Sequence, residues 1–166
     1  MTDYQKERTW IGRTMYSVEM GWVGFLSRHI WLWYALNLSW GLPGTVIGAF
    51  IALFVRVFLC HAGPKKFHMV NEFDFGNNWG GLGGVFFIFV SKGMGASYEE
   101  EVREHELGHS FQNALFGPFN LVLTMVPSVV RYWAQTLFPK RFNKPYDQIW
   151  FEGSATDGGR YFVSRD

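Results

Sequence analysis

The stretch His105-Glu106-Leu107-Gly108-His109 sets two imidazoles and a carboxylate at a spacing that carries chemistry if the segment is helical. At about 100° per residue, positions i and i+4 lie about 40° apart and one turn up, so the two rings converge on one point while the glutamate flanks it. Two neutral imidazole nitrogens, with a third protein ligand, hold one Zn2+ and leave an open position for a water whose pKa the metal lowers to about 7. Glu106 is then the base that takes the water's proton and later passes it to a leaving amine. The reaction such a site performs is hydrolysis of a peptide bond.

The ligand set must be completed by His or carboxylate, because Cys60 is the single cysteine and has no CxxC partner. A third histidine is excluded: positions 112 and 115 are Gln112 and Leu115, and no histidine follows His109. C-terminal of the motif the only glutamate is Glu152, and the only aspartates are Asp147, Asp157 and Asp166. Glu152, in the run Trp150-Phe151-Glu152-Gly153-Ser154-Ala155-Thr156-Asp157, is the leading candidate.

At these residues the chain resembles the gluzincins, HExxH zinc metallopeptidases whose third ligand is a downstream glutamate. The resemblance implies one zinc held by His105, His109 and Glu152, with Glu106 as catalytic base. The family's glutamate heads an ExxxD pattern; here Thr156 stands at i+4 and Asp157 one residue later, so either is a candidate to orient a ligand histidine or to serve as an alternative ligand. The family also pairs substrate with an edge strand before the HExxH helix, and Val85, Phe86, Phe87, Ile88 and Phe89 stand in the matching place. Candidate transition-state donors are Tyr161, Arg160 and His68. The stretch HELGHSFQNALFGPFNLVLTMVPS followed by WFEGSA is also similar to small bacterial membrane proteins with an HExGH-x-x-Q core, over roughly residues 30 to 160.

Several elements must position these groups. Ser97 and Glu100 have capping-box spacing, and residues 98–116 run without proline with acids in the first turns, which predicts a helix. Residues 67–75 and 85–91, joined by GNNWGGLGG, predict a β-hairpin packed on that helix, the second run covered on one side and offering an edge on the other. Gly108 in mid-helix predicts close approach of another backbone.

Leu42 to Cys60 is 19 residues with Arg56 as the only charge, long enough to span a bilayer, and Trp31, Trp33, Tyr34 and Trp40 precede it as an interfacial belt. Residues 119–138 form a second apolar stretch interrupted by Pro127 and Arg131, expected to be interfacial, re-entrant or packed beneath the site. His29 and His61 are expected to be interfacial or structural.

The predicted organisation is therefore α+β and mostly α: an N-terminal polar or interfacial segment at 1–29, a transmembrane helix at 30–61, and a zincin-like catalytic domain at 62–166. Aromatics at 19% exclude a disordered chain, and a net charge of +1 without a basic stripe argues against nucleic acid as a partner. The expected partners are a peptide or protein substrate and membrane lipid, and the expected location is a bacterial inner membrane. Two other functions fit the motif: a protease resembling the site-2 intramembrane class with Asp157 as third ligand, or a non-catalytic membrane interaction protein with a structural metal.

Overall fold

A computed structural model describes residues 9–58, 64–74, 80–142 and 146–165. They form a mostly helical α+β body with a small mixed sheet. Cys60, His61 and the first part of the glycine-rich connection lie outside the described residues.

Helix α1 (Trp10–Leu26) starts where the Thr9 hydroxyl accepts from the Gly12 amide at 3.2 Å, and it buries one face through Gly12, Glu19, Val23 and Leu26. That face packs on the HExxH helix and on the last helix.

The expected continuous helix over 30–61 does not form. The chain divides into α2 (Ile30–Leu38) and α3 (Leu42–Phe58), bent by 84°. Pro43 in the first turn of α3 has no N–H to continue a helix from α2. Gly41 and Gly44 admit Asn113 against the elbow: a Cβ would stand 2.3 Å from its Nδ2 at Gly41 and 2.1 Å from its Oδ1 at Gly44. No single helix among the described residues is long and apolar enough to cross a membrane. Trp33, expected in an interfacial belt, is fully buried in the core, whereas Trp31 is exposed.

The sheet has strand order β1-β2-β4-β3, with β1 (Lys65–Phe67), β2 (Val70–Asp74), β3 (Gly81–Gly83) and β4 (Phe87–Val90). It is not the expected hairpin: β2 and β4 run parallel, because the glycine-rich connection itself supplies β3, which pairs antiparallel with β4. The run Val85 to Phe89 is therefore no edge. Strand β4 is flanked by strands on both sides, Val85 precedes it at φ +66°, and the edge belongs to β3.

Alternation along the strands builds two cores. Val70, Ile88 and Val90 face α4 (Ala96–Phe116) with Leu107 and Phe111, while Phe73 and Phe89 face α3 with Ala52 and Val55. The helix α4 begins one residue before Ser97, with Gly95 as N-cap and no side-chain cap, so the capping box is not formed. Glu99 instead accepts from the Gly93 amide at 3.1 Å. Buried Glu72 on β2 receives Arg103 Nε at 2.7 Å and the Lys92 ammonium, which ties α4 to the sheet.

Helix α4 ends at Gly117 (φ +57°), where the Trp40 ring occupies the space of a Cβ and donates its Nε1 to the Leu115 carbonyl at 3.2 Å. A π-helical turn (Leu121–Met125) leads into α5 (Val126–Leu137), bent by 117° from α4. Helix α6 (Trp150–Val163) then packs along α4.

Candidate metal centre

Two close approaches set α6 against α4. A Cβ on Gly108 would stand 1.9 Å from the Ala155 carbonyl oxygen, and one on Gly159 would stand 1.8 Å from that of Glu104. The expected role of Gly108 is thereby met. This spacing brings Glu152, one turn before Ala155, against the two histidines.

His105 Nε2 and His109 Nε2 are 3.1 Å apart, and Glu152 Oε2 lies 3.2 Å from the first and 3.5 Å from the second. Donors at about 2.0–2.2 Å from a tetrahedral Zn2+ stand about 3.3 Å from one another, so the three atoms match one face of that tetrahedron. The Glu152 side chain is fully buried and each imidazole is 18% exposed, so the triad opens on the histidine side.

The outer contacts fix which ring nitrogens carry hydrogen. Gln112 Nε2 donates to the Phe151 carbonyl (2.6 Å) and to Glu19 Oε2 (2.9 Å), which turns its Oε1 toward His109 Nδ1 at 2.7 Å. An amide oxygen only accepts, so Nδ1 of His109 carries the hydrogen and Nε2 points bare at the triad. Thr156 Oγ1 donates to the Glu152 carbonyl (3.2 Å) and faces His105 Nδ1 at 2.9 Å, which gives His105 the same tautomer.

Two bare nitrogen lone pairs and a buried carboxylate that receives no hydrogen bond from the described residues therefore face one another. Such a set calls for a cation at its centre, and the residues fit a divalent metal with N/O preference. Without metal, a proton takes that role. Burial disfavours a charged His109, but the Glu152 carboxylate overrides it and pushes the imidazole up to about 9. Burial likewise opposes the Glu152 anion, and the two imidazoles override it and hold the carboxyl far below the usual carboxylate range.

Glu106 is buried beside the triad. Its desolvation raises its pKa against the pull of the two histidines. The carboxylate fits under β3 because that strand is Gly-Leu-Gly: a Cβ at Gly81 would stand 2.8 Å from Oε1, and one at Gly83 would stand 2.8 Å from Oε2.

Other candidate residues lie elsewhere. Asp157 accepts from the Tyr16 hydroxyl at 2.6 Å, so Thr156 and not Asp157 meets a ligand histidine. Tyr161 is nine residues beyond Glu152, about 13 Å along the helix axis, and its hydroxyl takes Arg165. Arg160 lies 3.4 Å from Glu104, and the His68 ring packs edge-on against Phe162 at 5.8 Å. None of these three expected donors is brought to the triad. Asp147, half-buried before α6, lies within the electrostatic reach of His105 and Glu152, and burial pushes its carboxyl up.

Sequence reasoning missed the roles of Gln112, the last residue of the HExGH-x-x-Q core, and of Glu19, Gly81 and Gly83. Gln112 had a legible signal, since i+3 from His109 places it on the same helix face. Glu19 had none, being a lone acid in an otherwise unremarked helix. No protein-family model, curated protein or solved structure matches the chain.

Proposed function

We propose that this chain is a membrane-associated zinc metallopeptidase. The observation that carries the reading is the triangle of His105 Nε2, His109 Nε2 and Glu152 Oε2, with both histidines locked in the metal-binding tautomer and Glu106 beside them. His105, His109 and Glu152 would hold the ion. When bound, zinc supplies a Lewis acid that lowers the pKa of a water and polarises a carbonyl.

Glu106 performs the proton work. Its burial raises its pKa from the ordinary carboxylate value, toward the range in which one group both accepts a proton from water and returns it to an amine near neutral pH. One face of β3 covers that carboxylate, and β3 is the last strand of the described sheet, so an extended peptide adding to it would run alongside the strand that covers Glu106. The exposure of the imidazoles leaves a side open to substrate.

The reading resembling the site-2 class, with Asp157 as ligand, has less support, because Asp157 is bonded to Tyr16. A structural metal site needs no buried carboxylate beside its ligands. The experiment is a comparison of wild type, Glu106→Gln and Glu152→Ala for zinc content and for cleavage of an unstructured protein such as casein. Wild type should bind one zinc per chain and cleave, Glu106→Gln should bind zinc and lose cleavage by at least about 10²-fold, and Glu152→Ala should lose both. Zinc binding without cleavage by any form would replace the reading with a structural metal site, and no zinc in wild type would remove both.

A further inference from the structure

Gly48 lies mid-way along α3 on its inner face, and one strand separates it from the Glu106 carboxylate. Residues 81–84 alternate between the two, as side-chain directions along a strand do. Gly81 and Gly83 face α4, where a Cβ would stand 2.8 Å from Glu106 Oε1 at the first position and 2.8 Å from Oε2 at the second. Leu82 and Gly84 face α3. Leu82 packs on the cluster that contains Ala52 and Val55, and a Cβ on Gly84 would stand 2.8 Å from the Gly48 Cα. In the other direction, a Cβ on Gly48 would stand 2.1 Å from the Gly84 carbonyl oxygen.

Glycines at 48, 81, 83 and 84 thus bring the α3 backbone, the strand and the carboxylate into direct succession. Movement of the strand within the sheet is restrained by β4, since the Ser91 amide donates to the Gly80 carbonyl at 3.0 Å and the Gly84 amide donates to the Phe87 carbonyl at 2.7 Å. The freedom left to it is displacement out of the sheet, toward α3 or toward α4. At Gly48 the three atoms nearest an added Cβ all belong to the Gly84 backbone, so no rotamer change admits one. On the opposite side the strand rests on Val102 and on the flexible end of Glu106. A push from α3 is therefore absorbed where resistance is least, at that carboxylate.

We propose that Gly48 is a positioning residue for Glu106: the absence of a side chain at Gly48 sets the height of β3, and β3 in turn holds the carboxylate beside His105 and His109. The role of Glu106 as base is that of the reading above, whereas the mechanical coupling does not depend on it.

The test is a double-mutant cycle in urea unfolding of the full, metal-free chain, with Gly48→Ala, Glu106→Ala and the pair. Two positions with a strand between them contribute additively unless the strand transmits the change. Gly48→Ala should destabilise the wild type, and Glu106→Ala, which empties the space under β3, should reduce that change in the unfolding equilibrium constant by at least about five-fold. Additivity within about two-fold overturns the proposal. If Gly48→Ala alone does not fold, the pair should fold, and failure of both overturns it as well. The zinc-loaded protein adds a readout that local overpacking would not move: Gly48→Ala should lower kcat by about ten-fold or more while KM and zinc affinity stay close to wild type. A matching loss of zinc affinity would assign Gly48 to support of the ligands and overturn the proposal. Coupling in the cycle without cleavage by the wild type would remove the reading of Glu106 as base and leave its positioning by Gly48 standing, so the two failures are distinguishable.

Discussion

Gly108 on α4 and Ala155 on α6 approach so closely that a Cβ on the glycine would stand 1.9 Å from the alanine carbonyl oxygen. Backbone faces backbone there, so no rotamer change can relieve an added methyl. The consequence reaches the candidate metal site, because Glu152 lies one turn from Ala155 and its reach to His105 and His109 depends on this separation. Gly108→Ala should destabilise the fold by about 2 kcal/mol, as overpacking outweighs the gain of about 1 kcal/mol in helix propensity. Zinc affinity should fall with it. Gly21 on α1, with nothing within 4 Å of its Cβ position, is the matched control, and Gly21→Ala should stabilise by up to about 1 kcal/mol. Urea unfolding with chelator-competed zinc titration checks both, and equal effects at the two positions would remove the close-approach explanation.

A second prediction concerns the relay from α1 to the metal ligands. Gln112 holds His109 through Oε1 and is itself held by Glu19 through Nε2. Gln112→Ala removes the acceptor for His109 Nδ1 and one donor to the buried Glu19. Loss of such an outer contact lowers metal affinity by about 10- to 100-fold, while Glu19 keeps the Ser154 hydroxyl as a donor. Glu19→Gln keeps an oxygen for the Gln112 amide and should lower zinc affinity less. If the two substitutions lowered it equally, the orientation of Gln112 would not depend on an acceptor at position 19.

The grouping of the candidate site was largely legible in the sequence, since helical geometry dictates convergence of His105 and His109 and elimination left Glu152 as the leading third member. What surrounds it was not. The parallel pairing of β2 with β4 depends on the glycine-rich connection becoming a strand, and Gly-Leu-Gly carries almost no β propensity of its own. The break of the apolar run 30–61 depends on Asn113, distant in sequence, entering between Gly41 and Gly44. Glu99 met the Gly93 amide in place of the predicted cap because Lys92 and Arg103 already draw it to that end of the sheet. At the elbow a contact 72 residues away in sequence decides between local alternatives, whereas at Glu99 and β3 contacts within ten residues do so.

Gly83 tests the placement of the proposed general base, Glu106. A Cβ there would meet Glu106 Oε2 at 2.8 Å, and the flexible end of the glutamate would yield before the strand does. Gly83→Ala should therefore leave zinc content and folding nearly intact while lowering kcat by about 10-fold or more through a misplaced carboxylate. A loss of zinc together with activity would show instead that β3 supports the ligands themselves.

The pH dependence of zinc binding follows from the proton that occupies the metal-free triad. His109 is raised from its ordinary 6.5 to about 9, so at neutral pH zinc must expel a proton. Apparent zinc affinity should then rise about ten-fold per pH unit toward pH 9 and level off above it. In the metal-free protein the sign is opposite. The raised imidazole contributes stability that is fully present below 6.5 and is lost as pH rises through about 9, while the lowered Glu152 carboxyl contributes stability that is present above 4.5 and is lost in acid. The increase in Tm produced by zinc should accordingly be small near pH 6 and large near pH 9. Differential scanning fluorimetry with and without zinc across this range reads it directly. A zinc-induced shift that stays flat from pH 6 to 9 would mean that His109 carries no proton in the metal-free protein, and that the triad holds its open arrangement without a cation.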